Sequence, residues 1–284
     1  MSNDRSSPFR RREMLAMLGA GAFLRRPAGA TDAGLHFASV DHVGITVSDP
    51  QKSAAFYTRV FGDAVYKNNK TTQRYLKLGP SYISIRQAGQ ESPGFRVDHI
   101  CPGIPAFDGA AAQRTLQSQG IGVREVAGFG LFANDPDGIE FQLWLDNSWS
   151  ESVKTASPES YPASREPIFS ATGLDHILLD VSDVEKSAGF YQKIFGPVAR
   201  RNNNRTWFQA GKSQIGILAL ADGRRPGVNH FCVSAATFEY DAAMKKLGQA
   251  GANLEAPEVA GAPEFRDPDH ILVQVMGPRP AVSR

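Results

Sequence analysis

One short motif recurs four times along the chain and constrains its fold more than any other feature. Each copy places an acidic or amide residue before a histidine at the start of an apolar strand, at Asp41-His42, Asp98-His99, Asp175-His176 and Asn229-His230. Recurrence of this kind indicates tandem copies of one supersecondary unit. The chain is therefore predicted to contain four related units, with a histidine at the same position in each.

The residues that follow the first histidine alternate as they do in a β-strand. Side chains of a strand point to opposite faces with a period of two. Val43, Ile45 and Val47 therefore share one face, and His42 lies on the other. Because the aliphatic face is suited to a core, the histidine is predicted to lie on a concave or solvated surface of the sheet.

Units one and three share one order of elements. Asp49 and Pro50 supply a capping side chain and a proline for the first turn of a helix, and Gly62 is suited to its end. Three short strands are predicted after this helix, near 64–68, 74–78 and 82–86. Unit three repeats the β-α-β-β-β order with the same spacing of its Phe-Tyr and Phe-Gly pairs.

Units two and four form a second type, which ends on a turn and a strand. Their helices are predicted near 107–119 and 238–250, with Thr237 as the cap of the latter. Proline fixes φ in the Asp-Pro-Asp turns that follow, and the closing segments span 135–144 and 267–276. His270 replaces the glycine of the second turn and is predicted to be exposed.

The four units predict an α+β fold in which consecutive units pair into two modules. The N-terminal module is predicted over residues 38–146 and the C-terminal module over residues 171–278. Residues 147–170 are rich in Ser, Pro and Glu and lack periodicity, so this segment is predicted to be the linker.

Residues 1–30 have the features of an export signal. A run of arginines precedes an apolar stretch over residues 14–23, and Ala28-Gly29-Ala30 offers a small-x-small cleavage site. The segment that begins at Arg11-Arg12 resembles the twin-arginine signal of bacteria. It predicts export of a folded protein to the periplasm or the extracellular space. The alternative is a basic tail without a targeting role.

Charge and hydropathy limit the partners of the folded part. The formal net charge is only +2, and several arginines lie within the first 26 residues. The folded part therefore lacks the basic excess that a nucleic-acid partner usually requires. No apolar run reaches the roughly 20 residues of a membrane-spanning helix. A small molecule is the predicted partner, with no membrane contact after signal removal, and the chain is expected to be a monomer or a homodimer.

The sequence resembles the vicinal oxygen chelate superfamily, which includes glyoxalase I, bleomycin-resistance proteins and extradiol dioxygenases. The resemblance rests on residues 42–62 and their near copy at 176–196, each with a histidine, Val-Ser-Asp, Phe-Tyr and a final Phe-Gly at equal spacing. The two Asp-Pro-Asp endings add to it. The resemblance implies that each pair of βαβββ units forms a cup-shaped sheet, in the two-module layout of extradiol dioxygenases.

The resemblance also implies a divalent metal site in each module. The implied ligands are two histidines from paired first strands and one residue of the final strand. They are His42, His99 and Gln142 in the N-terminal module, and His176, His230 and Gln274 in the C-terminal module. The metal is expected to be Fe, Mn, Zn or Ni. The alternative is that the imidazoles serve only as hydrogen-bonding groups for neighbouring backbone.

Glutamine stands in both modules where the superfamily normally has a carboxylate ligand. A neutral amide removes one negative charge beside the dication, so metal affinity should fall. Glu140 is an alternative ligand because it lies two residues before Gln142 on the same strand face, about 6–7 Å away.

Cys101 and Cys232 each follow a strand-opening histidine by two residues and are expected on its face. Two separate thiols are predicted, with one disulfide as the alternative.

The positions that carry the acid/base residues of extradiol dioxygenases hold other residue types in this chain. By alignment they fall near Gln209 and Glu264 in the C-terminal module, and near Lys77 and Phe132 in the N-terminal module. Ring cleavage by the usual extradiol mechanism is therefore not expected. Glu264 is the candidate base for another chemistry, and the alternative is a solvated loop charge.

The family resemblance implies two candidate functions. The first is a divalent-metal-dependent enzyme of the dioxygenase, lyase or isomerase type, acting on a small molecule with two adjacent oxygens. The alternative is a binding or sequestering protein with the same cup and no turnover. Arg74 and Arg205 are expected near the cup rims, where they either pair with an anionic ligand or lie over the surface.

Overall fold

The computed structural model describes residues 35–62, 64–89, 94–161, 166–202 and 204–278. The predicted export signal, residues 1–30, lies outside these ranges. In the part of the chain that the structure describes, no helix has both the length and the hydropathy needed to cross a membrane.

The first sheet contains the strands of units one and two. They are β1 (Ser39–Val47), β2 (Val65–Asn68), β3 (Arg74–Leu78), β4 (Ser81–Gln87), β5 (Arg96–Ile104), β6 (Arg124–Val126), β7 (Gly130–Asn134), β8 (Glu140–Leu145) and β9 (Ala156–Glu159). Their order across the sheet is β6-β7-β8-β5-β1-β4-β3-β2-β9. The opening strands β1 and β5 are antiparallel neighbours at its centre, so units one and two form one sheet, as predicted.

The second sheet repeats this plan with units three and four. Its strands are β10 (Ala171–Val181), β11 (Arg200–Asn202), β12 (Arg205–Ala210), β13 (Ser213–Ala219), β14 (Gly227–Ala235), β15 (Asn253–Glu255), β16 (Glu264–Arg266) and β17 (Leu272–Met276). Their order is β11-β12-β13-β10-β14-β17-β16-β15, and the opening strands β10 and β14 pair antiparallel. The predicted α+β class and the pairing of units are confirmed.

The helices are α1 (Pro50–Phe61), α2 (Gly109–Ser118), α3 (Trp149–Ser152), α4 (Val184–Phe195) and α5 (Tyr240–Gln249). Helix α1 begins as the sequence predicts, because the Asp49 side chain accepts hydrogen bonds from two first-turn amides and Pro50 lies in that turn. Gly62 follows its end with φ of 69°. The prediction of Thr237 as a cap is wrong. Glu239 occupies the cap position of helix α5, and this helix start has no side-chain cap hydrogen bond.

The aliphatic faces of both sheets and the helices between them share one hydrophobic core. Val43, Ile45 and Val47 are completely buried, whereas their strand neighbour His42 lies on the opposite face. Aromatic rings connect the modules, because Phe56 of α1 lies 6.1 Å from Phe265 of β16. The equivalent contact in the opposite direction joins Phe190 of α4 to Phe141 of β8, with ring centroids 5.8 Å apart.

Each of the two Asp-Pro-Asp turns accepts a hydrogen bond from the other module. The Tyr57 hydroxyl of α1 donates to Asp267 Oδ2 at 2.8 Å. The Tyr191 hydroxyl of α4 donates to Asp135 Oδ2 at 2.9 Å in the same way. We call these two Tyr–Asp hydrogen bonds the inter-module latches. A turn that the sequence marks only as a chain reversal therefore also joins one module to the other.

The segment 147–170, predicted as a linker, includes regular structure. Helix α3 and strand β9 lie within it, and β9 pairs with β2 as the outermost strand of the first sheet. Arg74 on β3 donates from Nε and Nη2 to the Glu159 carboxylate of β9, at 3.0 and 3.2 Å. Arg74 is 5% exposed and its guanidinium pairs with Glu159, so it takes neither of its two expected roles, pairing with an anionic ligand or lying over the surface. It holds β9 on the sheet instead.

Candidate metal centres

The histidine face of each sheet carries one row of side chains across neighbouring strands. In the N-terminal cup the row includes Tyr82, His42 and Cys101, with Phe132 opposite Gln142. In the C-terminal cup the matching register runs through Gln214, His176, Cys232, Gln274 and Glu264. Both predicted ligand sets therefore lie on the histidine faces of the two sheets, with their members on adjacent strands.

The three predicted ligands of the N-terminal cup meet at one point. His42 Nε2 lies 3.0 Å from Gln142 Oε1 and 3.3 Å from His99 Nε2. All three side chains are at least nine-tenths buried. Atoms bonded at about 2.0–2.2 Å to one ion stand at about such separations, so this arrangement fits a divalent metal.

The hydrogen bonds behind these atoms determine which way their lone pairs point. His42 Nδ1 lies 2.8 Å from Asp41 Oδ2, and His99 Nδ1 lies 3.2 Å from Asp98 Oδ2. A carboxylate accepts, so each Nδ1 carries the proton and each Nε2 presents a lone pair. The Gln142 amide nitrogen donates to the backbone oxygen of Phe129 at 2.6 Å, which turns Oε1 toward His42.

Two imidazole nitrogens and one amide oxygen thus face one another. Burial lowers the pKa of His99 to about 4, against a smaller opposing effect of its hydrogen bond with Asp98, so this ring is neutral and able to ligate a metal. A divalent metal satisfies all three atoms at once. The donor set therefore fits the metal that the resemblance implies.

The alternative ligand Glu140 does not join this group. Its carboxylate accepts from the Arg124 guanidinium at 3.1 Å, and its place on β8 is opposite His99 rather than between the two rings. Gln142 is the residue that reaches His42 Nε2. The sequence places both side chains on one strand face, and only the register distinguishes them.

A second cluster, Asp41, His42 and Cys101, is also close enough to surround an ion. Asp41 already accepts from the Ser148 amide, the Ser148 hydroxyl and His42 Nδ1, at 2.9, 2.6 and 2.8 Å. Burial raises the pKa of the Cys101 thiol well above its ordinary value, which disfavours the thiolate that a metal needs. This cluster serves to orient the His42 ring.

Cys101 and Cys232 are both buried thiols outside any disulfide, as the prediction of two separate thiols requires.

An open cavity of about 390 Å³ lies above the N-terminal centre. His42, His99 and Gln142 contribute to its wall, so the convergent atoms face the cavity. The remaining wall combines aromatic and charged side chains, among them Tyr75, Tyr82, Phe132, Trp144, Arg86, Arg124 and Glu140. The Tyr82 ring stacks on His42 at 4.4 Å. The volume is sufficient for a small molecule beside the ion.

Gly44 leaves the space that the His99 ring occupies. A Cβ at this position would lie 2.8 Å from His99 Nε2 and closer still to two other ring atoms. Gly44→Ala is therefore expected to displace His99 and to weaken metal binding in this cup by about 10–100-fold, the usual cost of disturbing ligand orientation. Titration of the metal-free protein with Mn²⁺ measures this change.

Gly189→Ala is the matched control for that variant. Gly189 lies within α4, where an added Cβ meets open space. Metal affinity should stay unchanged, and helix propensity should raise the unfolding free energy by up to about 1 kcal/mol. Equal affinities in the two glycine variants would contradict the assigned position of His99.

The C-terminal centre repeats the imidazole arrangement. His176 Nε2 lies 3.1 Å from His230 Nε2. Asp175 Oδ1 lies 2.7 Å from His176 Nδ1, and Asn229 Oδ1 lies 3.0 Å from His230 Nδ1. The Asn229 amide nitrogen donates to Asp180, which fixes the orientation of that amide. Both Nε2 atoms therefore present lone pairs here too.

The third predicted ligand of this centre, Gln274, contacts a buried carboxylate. Its amide nitrogen donates to Glu264 Oε1 at 2.6 Å, and Glu264 is 4% exposed on β16. The alternative of a solvated loop charge at Glu264 is wrong, because this short strand lies beside β17 and directs the side chain into the cup. Burial raises the pKa of Glu264, while its hydrogen bond from Gln274 lowers it.

The other aligned positions do not join the centres. The Gln209 amide nitrogen donates to the backbone oxygens of Gly211 and Ser213. Lys77 Nζ donates to the Pro80 oxygen at 3.3 Å.

Arg205 forms an ion pair with Glu258. His270 is exposed, as predicted, with φ of 66°.

Sequence reasoning missed the residues that support the N-terminal centre. Tyr82 and Ser148 were not singled out, although one stacks on His42 and the other bonds to Asp41. The carboxylates Asp41 and Asp98 were visible as part of the repeated motif. An acid directly before each ligand histidine was the available signal for their orienting role.

Known proteins share the sequence signature of this chain. The family model described as the Glyoxalase/Bleomycin resistance protein/Dioxygenase superfamily matches residues 39–93 and 173–275. The chain is also 24% identical to a lactoylglutathione lyase of Schizosaccharomyces pombe over an alignment of 317 residues. That alignment covers 88% of this chain and 99% of the lyase.

Solved structures share the architecture. The 2,3-dioxygenase LapB from Pseudomonas sp. KL28 matches with a TM-score of 0.63 and 17% identity, covering 88% of this chain and 97% of that one. A Mn(II)-bound glyoxalase from Novosphingobium aromaticivorans matches with a TM-score of 0.61 and 16% identity, covering 85% and 82%. At such identities the likeness concerns the fold.

The family match spans more than half of the chain and includes the first strands of both modules. The paired βαβββ units and the strand-opening histidines agree with it. The chain therefore belongs to the Glyoxalase/Bleomycin resistance protein/Dioxygenase superfamily.

Proposed function

We propose that this protein is a divalent-metal-dependent enzyme whose N-terminal cup binds a small molecule through two adjacent oxygen atoms. The observation that carries the proposal is the convergence of His42 Nε2, His99 Nε2 and Gln142 Oε1 on the wall of an open cavity. The Mn(II) named for the similar glyoxalase structure supports a metal of the Fe, Mn, Zn or Ni group.

His42, His99 and Gln142 would hold the metal, with Asp41 and Asp98 keeping the rings in the required tautomer. When bound, the metal supplies Lewis-acid polarisation of a coordinated oxygen. All three ligands are neutral, so none of them cancels the charge of the ion. An anionic pair of oxygens, such as a deprotonated diol or a hydroxycarboxylate, is therefore the ligand that this set favours.

The cavity wall supports lyase or isomerase chemistry over ring cleavage. Glu140 places a carboxylate on this wall beside Arg124, where it can accept and return a proton. Phe132 and Lys77 stand at the positions aligned with the extradiol acid/base residues, and neither matches that mechanism. The similarity to a lactoylglutathione lyase points to the same reaction class.

A binding or sequestering role is the second candidate. This role is favoured because Gln142, a neutral amide, stands where the superfamily normally has a carboxylate ligand. A neutral ligand also holds a metal less tightly. In this case the cup would retain an oxygen chelator without converting it, and the parent protein would show no more turnover than Glu140→Gln.

The proposal is tested with the chromogenic chelator 4-nitrocatechol and metal-free protein. Addition of Mn²⁺ or Fe²⁺ should produce a shifted absorbance band on chelator binding, and the band should disappear in the His99→Ala variant. The exposed His36 offers the matched control, because His36→Ala should retain the band. Equal chelator binding with and without metal would contradict the proposal.

We also propose that the chain is exported through the bacterial twin-arginine route. The paired Arg11-Arg12, the apolar stretch and the small-x-small site support this location. Replacement of both arginines by lysine should keep the protein in the cytoplasm. Equal periplasmic recovery of the two forms on cell fractionation would refute export by this route.

A further inference from the structure

The two cups differ at the position beside the glutamine of each centre. In the N-terminal cup, Phe132 is the cross-strand neighbour of Gln142. In the C-terminal cup, Glu264 is the cross-strand neighbour of Gln274. The two Nε2 atoms lie at similar separations in both cups, 3.3 and 3.1 Å. The second imidazole of each pair is anchored differently, His99 by the Asp98 carboxylate and His230 by the Asn229 amide.

The partner of the glutamine amide changes accordingly. Gln142 Nε2 donates to a neutral acceptor, the backbone oxygen of Phe129, at 2.6 Å. Gln274 Nε2 donates to the Glu264 carboxylate at the same distance of 2.6 Å. The Glu258 amide donates to the same Glu264 oxygen at 3.2 Å. Glu264 Oε1 therefore accepts two hydrogen bonds at a residue that is 4% exposed.

A carboxylate that accepts a hydrogen bond from an amide nitrogen changes the electron density on the oxygen of the same amide. Donation of the N–H to an anion shifts electron density toward the carbonyl oxygen, as in other chains of polarised hydrogen bonds. The same bond fixes the amide, so that Oε1 of Gln274 is left as the atom available to a metal ion. The negative charge missing from the ligand position is thereby present one strand away.

We propose that Glu264 is the positioning residue of a second metal centre at His176, His230 and Gln274, and that its carboxylate strengthens the binding of a divalent metal at this centre. This inference rests on the metal-binding part of the proposed function and does not depend on turnover.

The test uses Co²⁺, whose visible spectrum reports its ligands, in a His42→Ala background that silences the N-terminal centre. Affinity is measured by competition with a chromophoric chelator. Glu264→Gln keeps an acceptor oxygen for Gln274 and removes the charge. It is expected to lower Co²⁺ affinity by about 10–100-fold, as loss of an orienting partner does elsewhere, and to shift the visible bands.

Glu258→Gln is the matched control. Glu258 is a neighbouring carboxylate, half-exposed and paired with Arg205, and its side chain has no contact with Gln274 among those described. It should change the affinity by less than about 3-fold, because exposed charges are screened by solvent. The thermal midpoint of the metal-free Glu264→Gln protein should match the parent, which separates loss of metal affinity from loss of fold.

Unchanged affinity in folded Glu264→Gln would overturn the inference, as would equal losses in the two glutamine variants. Absence of Co²⁺ binding in the His42→Ala background would also overturn it, while leaving the N-terminal centre of the proposed function intact. Should Glu264→Gln fail to fold, Phe132→Glu in a His176→Ala background carries the test. Raised affinity of the N-terminal centre would support the role of the carboxylate, and unchanged affinity would refute it.

Discussion

Replacing His42 by alanine is expected to remove one metal equivalent per chain, with affinity at the N-terminal centre reduced by more than about 100-fold. His42 Nε2 is the atom closest to both other ligands, at 3.0 Å from Gln142 Oε1 and 3.3 Å from His99 Nε2. Loss of a ligand should exceed the 10–100-fold cost of losing an orienting partner. Elemental analysis of dialysed protein and calorimetric titration with Mn²⁺ measure the stoichiometry and the affinity.

Two controls accompany this variant. His36→Ala removes an exposed imidazole and should retain the full stoichiometry. Asp41→Asn keeps the ring but weakens its anchor, because Asp41 fixes His42 Nδ1 and also holds Ser148. An intermediate loss of affinity is expected there. A His42→Ala protein with the parent's stoichiometry and affinity would show that the ion is held elsewhere.

The second large effect concerns the inter-module latches. Asp267 is completely buried and accepts from the Asp269 amide, the Ile271 amide and the Tyr57 hydroxyl, at 2.9, 2.8 and 2.8 Å. Asp267→Ala leaves these three buried donors without an acceptor. At about 1–3 kcal/mol for each unsatisfied group, with some relief by water, the unfolding free energy should fall by roughly 3–5 kcal/mol. Urea unfolding measures this loss.

A milder substitution at the same latch measures how much its single hydrogen bond contributes to the unfolding free energy. Tyr57→Phe removes one hydrogen bond and keeps the ring, so its cost should be about 1 kcal/mol. Asp222→Ala changes an exposed loop carboxylate and should cost less than about 0.5 kcal/mol. An Asp267→Ala protein as stable as Asp222→Ala would mean that the latch does not contribute to joining the modules.

The parts of the fold that the sequence predicts are those that depend on local rules. Strand β3 and helix α1 follow from alternation, from Asp49 and Pro50 at the helix start, and from Gly62 at its end. The face occupied by His42 follows from the period of the strand alone. The same period places the four histidines on one face of each sheet, whereas the two candidate ligand sets, with their glutamines, come from the family resemblance.

The parts that the sequence does not predict depend on register and on contacts distant along the chain. Strand β9 has no alternation and exists because the edge of β2 offers it hydrogen bonds. Glu264 lies on a three-residue strand, and only pairing with β17 places it beside Gln274. Gln142 and Glu140 share a strand face, so choosing between them requires the register with β5. The Tyr57–Asp267 contact joins residues of different modules.

Anomalous diffraction from crystals grown with Mn²⁺ tests the central claim most directly. The claim is that the lone pairs of two imidazoles and one amide oxygen converge on a single ion in the N-terminal cup. The expected result is one anomalous peak there, about 2.0–2.3 Å from His42 Nε2, His99 Nε2 and Gln142 Oε1. A cup without a peak, or a peak held by Glu140 or by Asp41 with Cys101, would contradict it.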